Sequence, residues 1–491
     1  MMKTSNTRNR NRCKPWIIAA ALVCACLVLP QAGLAAWSDE PIAVFVGEGD
    51  QCRPQVVYDG SGGYYVTWQD FELDGVFAQH YDVNGDALWD SPIQVGSGSD
   101  AHMQEAVADG SGGLLVSYYN YDEGYNFVQR IDADGNLAWE EGGVAVIDDS
   151  DCWIASDGQG GAVVMSYYGY VNKVSADGTL PWADADNPLV FSDNSWATKI
   201  APDGTGGAIL LWEEGNSFSG LALQRVDADG NFAWNDGEPL QLSVEDPDCP
   251  RLIPIEGGGV VVWEDYVGSD YVVMAQKVNA SGQIQWAEGG AVVASGDIDW
   301  PEVASDGAGG AFVTWCDWNT YTVLAQYIGS DGELVWDSPV RMSPENDLYA
   351  VVQHPRRTVE DGLGGFITAW ASNDEETKAQ RCDASGAVLW TTAGAVLAQG
   401  ESISYEPKLA SNGQGGAVAV WVDYLDATSK DIFMQGVSAE GVAGDPGYTP
   451  PRGGSGSSGL CFAAAAAPAG GAGALLVLLA GAGGLFTLRR R

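Results

Sequence analysis

Two short loops carry the donor pattern best suited to a hard cation. Asp132, Asp134 and Asn136, and again Asp227, Asp229 and Asn231, place side-chain oxygens at alternate positions, as a calcium loop does at its opening. The glycine such a loop needs at its sixth position is replaced by Leu137 and Phe232, and no closing glutamate follows. Related copies lose an acid at Ser175, Asn279, Ser281 or Ser385. Turn formation is therefore the preferred role of Asp132, Asp134, Asp227 and Asp229; calcium is the alternative, and no other cofactor is expected. A second group could recognise a ligand. Tyr118, Tyr119, Tyr121 and Tyr125, then Tyr167, Tyr168 and Tyr170, gather seven of the 19 tyrosines in two short stretches. A tyrosine offers a flat apolar face and a polar tip, which suits stacking on sugars or peptide groups. Tyr119, Tyr121, Tyr168 and Tyr170 are the candidates, against the plainer reading that alternate tyrosines are core. A third group is Cys52, His102, Trp196, Cys249, His354 and Tyr405, with Cys152 and Trp300 close to the same phase. Cysteine and histidine together suit a soft metal such as copper or zinc. No short ligand spacing supports a metal, and bulky packing is preferred.

Composition removes whole classes of function. The chain has 491 residues, with 23 basic against 66 acidic side chains and only three histidines. Phosphate binding needs clustered Lys and Arg, so nucleic acid is excluded as the main partner, and so is anionic lipid. Hydrophobic content of 46% excludes wholesale disorder. No nucleophile elbow, histidine metal motif or phosphate loop is present. Arg130, Arg225 and Arg381 occupy one recurring position, which marks them as structural rather than as a carboxylate-binding cluster.

Positioning such residues falls to an internal repeat. A turn signal recurs at Asp59-Gly60, Asp109-Gly110, Asp157-Gly158, Asp203-Gly204, Glu256-Gly257, Asp306-Gly307, Asp361-Gly362 and Asn412-Gly413, every 46 to 55 residues. A β-rich run follows each, such as Tyr64–Trp68 or Ala417–Trp421, and then a run carrying Gln79, Gln129, Asn172, Gln224, Gln276, Gln326, Gln380 or Gln435. A second Gly turn comes next, with Trp89, Trp139, Trp182, Trp234, Trp286, Trp336 or Trp390 four residues beyond seven of its glycines. Asx-Gly pairs between β-branched and aromatic runs are hairpin signals. Each unit reads as four strands, too small to bury both faces of its own sheet, so neighbours must stack on it. The expected fold is all-β: an eight-bladed β-propeller of four-stranded antiparallel blades.

The eighth unit lacks its tryptophan. Trp37-Ser38-Asp39-Glu40-Pro41-Ile42 matches Trp89-Asp90-Ser91-Pro92-Ile93, so the N-terminal strand is expected to complete the last blade. The hairpin tryptophans, Trp37 included, then pack between adjacent sheets. The recurring glutamines are expected to satisfy backbone groups between blades. Asp70, Glu214, Asp265, Asp317 and Asp423 are expected to close the turns that follow them. Cys52, His102, Trp196, Cys249, His354 and Tyr405 fall seven residues before the first turn signals, at the start of the inner strands, where they would line one mouth of the channel. Cys316 and Cys382, from neighbouring blades, are the preferred disulfide pair.

The repeat, DGxGGxxVxW followed by AQRxDxxGxxxW, resembles uncharacterised bacterial secreted β-propeller repeat proteins. Asp134-Gly135-Asn136-Leu137-Ala138-Trp139 also resembles the Asp-box of sialidases in its Asp-to-Trp spacing, though Gly here follows Asp directly. That box is structural, so the likeness implies fold and not activity.

The ends read as addresses. Residues 1–36 form a signal peptide: Lys3, Arg8, Arg10, Arg12 and Lys14, then the apolar run from Trp16 to Leu29, then small residues before the cut. At the other end, residues 449–461 are a Gly/Ser-rich tether ending at Cys461, and 462–491 an apolar segment with an arginine tail. This tripartite tail resembles the GlyGly, Myxo and Synerg classes of bacterial sorting signal. The resemblance implies a rhomboid-type sorting protease as partner, a membrane anchor and processing at Cys461. Residues 37–488 hold 15 basic and 66 acidic side chains, a net of −51. The chain reads as an exported propeller tethered at the cell surface, acting as a binding or scaffold module for a glycan or protein. His102, Trp196, Trp300 and His354 join the tyrosines as ligand-binding candidates. The rival class is a glycan-cleaving hydrolase or lyase of sialidase-like propeller type.

Overall fold

Residues 37–447 are described by the computed structural model, apart from single positions and short stretches, the longest 349–355. Residues 1–36, read above as a signal peptide, residues 449–491, read as a tether with Cys461 and an apolar tail, and His354 lie outside the described residues. Eight four-stranded antiparallel sheets follow one another as blades. Blade 1 is built from Gln51–Tyr58, Tyr64–Asp70, Gly75–Tyr81 and Ile93–Ser97, from the inner strand to the outer one. Blades 2 to 7 repeat this order over 101–147, 152–190, 195–243, 248–296, 298–341 and 356–399. The only helical element among the described residues is a single 3-10 turn, Asn235–Gly237. The inner strands touch their neighbours all the way round, the first meeting the last.

Burial explains why the second strands read as unbroken apolar runs. Each sheet is covered on both faces, so Tyr64–Asp70 and Ala162–Ser166 are buried along their whole length. One apolar cluster fills each of the eight spaces between blades.

Turn chemistry repeats with the sheets. In the first hairpin Asp109 Oδ1 accepts the Ser111 and Gly113 N–H groups at 2.6 and 2.8 Å. Its Oδ2 accepts Arg130 Nε at 2.8 Å. The same pairing joins His80 to Asp59, Lys173 to Asp157, Arg225 to Asp203 and Arg381 to Asp361. The three recurring arginines are thus turn clamps. Burial opposes ionisation of Asp109, but the Ser111, Gly113 and Arg130 donors outweigh it and hold the carboxyl below its ordinary range.

A second device locks blade to blade. Trp89 Nε1 donates to Ala133 O of the next blade at 3.1 Å, and Trp286 to Ser330 O at 3.1 Å. The same bond recurs from Trp139, Trp182, Trp234, Trp336 and Trp390. The facing glycine lies flat on the indole: at Gly386, where φ is +83°, an added Cβ would come within 3.3 Å of Trp336. Both the left-handed backbone and the ring surface require glycine there.

Closure uses the same parts. Ile42–Phe45 pairs antiparallel with Ser429–Val437, completing the eighth blade as the expected N-terminal strand. Trp37 Nε1 donates to Val83 O of blade 1 at 2.9 Å, and its indole covers Gly85. Gln435 Nε2 reaches Ser38 O at 3.0 Å.

Several side chains differ from the sequence expectation. The recurring glutamines act within blades: Gln129 Nε2 donates to Glu140 O and Gln276 to Ala287 O, fixing the loop before the outer strand of the same blade. Asp70 and Asp317 close the following turns, whereas Glu214 bonds Gln241 and Asp265 bonds Trp263 Nε1. Cys316 and Cys382 are free thiols buried in one apolar cluster, not a disulfide. Filling that space with side-chain volume satisfies both without a bond.

Candidate binding face and channel

The inner strands start, and the second strands end, on one side of the ring, here the loop face. His102 stands opposite Tyr119, and Trp196 opposite Glu213. The two groups singled out in the sequence therefore share one surface. Tyr119 and Tyr121 meet edge to face at 4.6 Å, and His102 stands 6.2 Å from Tyr121. One blade on, Tyr167 meets Tyr168 and Trp196 at 5.2 Å each, and Trp153 at 6.4 Å. Trp300 continues the series with Trp318 at 5.2 Å, and Trp318 with Tyr321 at 5.8 Å. Edge-to-face contacts hold the rings in place while leaving outer faces free.

Exposure decides what this surface is. Phe71, Tyr121, Tyr168, Tyr266, Tyr271 and Tyr321 are the strongly exposed phenylalanine and tyrosine side chains among the described residues. All six lie in or beside loops between second and third strands, hence on the loop face. Tyr121 and Tyr168 are the barest, at 56% and 60%. On the opposite face the exposed apolar groups are aliphatic, among them Leu88, Leu334 and Leu389. Burial, then the charge of Arg53, holds the His102 imidazole below its ordinary pKa, so it adds an uncharged ring to the rim near neutral pH.

Not every predicted residue belongs here. Tyr170 opens the third strand of blade 3 and packs into the apolar cluster shared with blade 2. It is partly buried because it begins the third strand, whereas the exposed Tyr168 sits in the turn that precedes it. Tyr118 is core, its hydroxyl donating to Gly142 O at 2.6 Å. Trp153, Trp318, Tyr266, Tyr271 and Tyr321 were not singled out in the sequence. Tyr266 and Trp318 each lie three residues past a strand tryptophan, Trp263 and Trp315, the spacing Phe71 holds from Trp68; Trp153, Tyr271 and Tyr321 keep no such spacing.

Below the rim the inner strands deform. Six of the eight carry a bulge near the start, as between Met103 and Glu105 or Ala197 and Lys199. Arg53, Cys249 and Trp300 adopt left-handed backbone there, at φ of 53°, 48° and 55°. Among the described residues, the cysteine and histidine side chains at this level do not converge on one another. Cys249 instead gathers with Glu264 and Asp299, one donor atom from each lying within 4.8 Å of the others. Burial, then the hydrogen bond to Asp299, pushes the Glu264 carboxyl up to about 9. The Trp300 N–H donates to both acids.

The calcium candidates are occupied by their own turns. Asp132 Oδ1 accepts the Asp134 and Asn136 N–H groups at 3.0 and 2.9 Å, and its Oδ2 accepts Asn136 Nδ2 at 3.0 Å. Asp227 repeats this with Asp229 and Asn231. A cation would have to displace amide donors that already satisfy both oxygens. The melting temperature is accordingly expected to be unchanged by excess EGTA, as read by differential scanning calorimetry. A fall of several degrees, reversed by calcium, would identify these turns as metal loops.

No family model matches the chain, and no curated protein does. Among solved structures, a eukaryotic initiation factor aligns at 10% identity and a TM-score of 0.44, over 82% of this chain and 89% of the other. The Dos1 propeller aligns at 12% and 0.44, over 81% and 94%. The Pan2 WD40 domain of Neurospora crassa aligns at 9% and 0.41, over 85% and 98%. The assignment as an eight-bladed propeller stands on the eight sheets themselves.

Proposed function

We propose that the chain is an exported, surface-tethered propeller that docks an extracellular glycan on its loop face and works as a binding or scaffold module. The observation that carries this reading is the confinement of the exposed aromatic rings to one face, where the repeats differ most. Residues kept in every blade hold turns and interfaces together; Tyr121, Tyr168 and Tyr321 do neither. Stacking a sugar on such a ring supplies about 1 kcal/mol beyond the area buried, so affinity would come from several rings acting together.

A glycan array probed with the purified propeller tests this. Binding is expected, and the double variant Tyr121→Ala and Tyr168→Ala should weaken it at least tenfold without moving the melting temperature. Equal binding by the variant would remove the rim from the account. Protein capture without glycan binding would make the partner a protein, and turnover of a bound glycan would make the chain an enzyme.

A further inference from the structure

A chain with so few basic residues concentrates them along its axis. Eight inner-strand residues share one register, each opposite the fourth residue of the second strand, or the fifth in blade 5. They are Gln55, Glu105, Trp153, Lys199, Arg251, Glu302, Arg357 and Lys408, facing Thr67, Ser117, Met165, Leu211, Val262, Thr314, Ala369 and Val420. They form one ring, a residue from each blade. Four of the 15 basic residues between 37 and 488 stand in it beside two acids. The ring is therefore cationic inside a body of net charge −51.

Its charges converge across the channel. Arg251 Nε bonds Glu302 Oε1 at 2.9 Å, and Arg357 Nη1 lies 3.7 Å from Glu302 Oε2. Glu105 Oε2 accepts the Ile154 N–H at 3.0 Å and feels Lys199, Arg357 and Lys408 from three other blades. Lys199 makes no hydrogen bond or close ion pair among the described residues. Its charge is opposed by Arg251 and Arg357 and favoured by Glu105 and Glu302. An enclosed ammonium group beside two guanidinium groups is a state that a bound anion relieves.

We propose that this channel is an anion site, in which Lys199, Arg357 and Lys408 hold a carboxylate-type group that enters from the loop face. Arg251 bonds Glu302 at 2.9 Å and Arg357 reaches the same carboxylate at 3.7 Å, so the ring offers the ligand an excess of four cations over two acids. The site lies two to three residues inward from His102, Trp196 and Trp300, or roughly 7–10 Å along a strand. It is thus separate from the aromatic rim, and its ligand could be a free small acid or the acidic end of a longer glycan. Burial, then the charge of Arg251, lowers the Lys199 ammonium to about 8. Affinity should therefore fall as pH rises through that value. Glu105, Arg251, Glu302, Arg357 and Lys408 also face the channel.

Isothermal titration with glucuronate, at fixed ionic strength set by chloride, tests the site. Binding is expected at pH 7, at least tenfold weaker at pH 9 and at least tenfold weaker in Lys199→Gln. That variant removes a repelled cation, so it should fold at least as well as the parent. An acidic oligosaccharide binding more tightly than glucuronate would show that rim and channel act on one ligand; equal affinity would assign the site to free acids. Absence of glucuronate binding, or binding unchanged in Lys199→Gln, would overturn the proposal. A neutral glycan bound through Tyr121 but indifferent to Lys199→Gln would leave the rim standing without the channel.

Discussion

Replacing Trp37 with alanine is expected to cost about 3 kcal/mol, as much as replacing Trp139 in the middle of the chain. In an open array an aromatic residue so near the start would have no following blade to hold and would cost little. Here its indole covers Gly85 and its N–H bonds Val83 O, as Trp139 does for Gly178 and Ala176. Removing residues 37–46 altogether should do more. It takes away Ile42, Val44 and Phe45, which pack on the first and last blades, and bares the edge of Ser429–Val437. Their burial contributes on the order of 5–8 kcal/mol, comparable with the whole stability of many domains. The truncated chain should unfold well below the melting point of the parent or associate through the bared edge. Urea titration of the three proteins measures this, and a truncated form as stable as the parent would refute it.

The second large effect is expected at the turn clamps. Asp361 Oδ1 accepts the Leu363 and Gly365 N–H groups, while its Oδ2 accepts Arg381 Nε at 2.8 Å. Arg381 is 9% exposed at its side chain and also bonds Ala439 O in the next blade. Asp361→Ala therefore strands a buried guanidinium and opens a turn, at a cost of about 3–5 kcal/mol. Asp132→Ala breaks a similar turn that faces water and carries no cation partner, and should cost about 1 kcal/mol. A pH series adds an independent reading. Asp109 and Asp203 are held below the ordinary carboxylate range by their hydrogen bonds despite burial. Their contribution is complete above the unfolded value near 4 and is lost as pH falls through the lower folded values. Equal losses for Asp361→Ala and Asp132→Ala would show that the buried ion pair adds nothing.

The architecture was legible because its signals are local. Asp109-Gly110 and Asp134-Gly135 specify turns by their own chemistry, and Trp37 betrays its place by copying the segment after Trp89. The glutamines misled because a buried amide shows the need for partners without showing where they are. Gln129 serves its own blade, which spacing alone could not distinguish from the next. At the site, Tyr121 and Tyr168 stood out as departures from a repeat, but Tyr170 depends on the phase of one short hairpin. Trp318 shares with Tyr266 and Phe71 a spacing of three from the strand tryptophan, a signal the repeat did offer, whereas Tyr321 has no such offset. The channel ring escaped because its chemistry changes from blade to blade. Lys199 and Arg357 lie 158 positions apart in the chain, and a one-residue shortening of the first hairpin in blade 5 hides Arg251 from a simple count.

Closure by the N-terminal strand is the claim on which both rim and channel depend, since an open array has neither a face nor an axis. Ala43 and Phe433 are backbone partners in the last blade although 390 positions separate them. Cysteines placed at both should join under mild oxidation and yield one cross-linked peptide pair by mass spectrometry, with the propeller still folded. Failure of that pair to form, while a control between the paired Ala78 and Ile93 within blade 1 does, would contradict the closed ring.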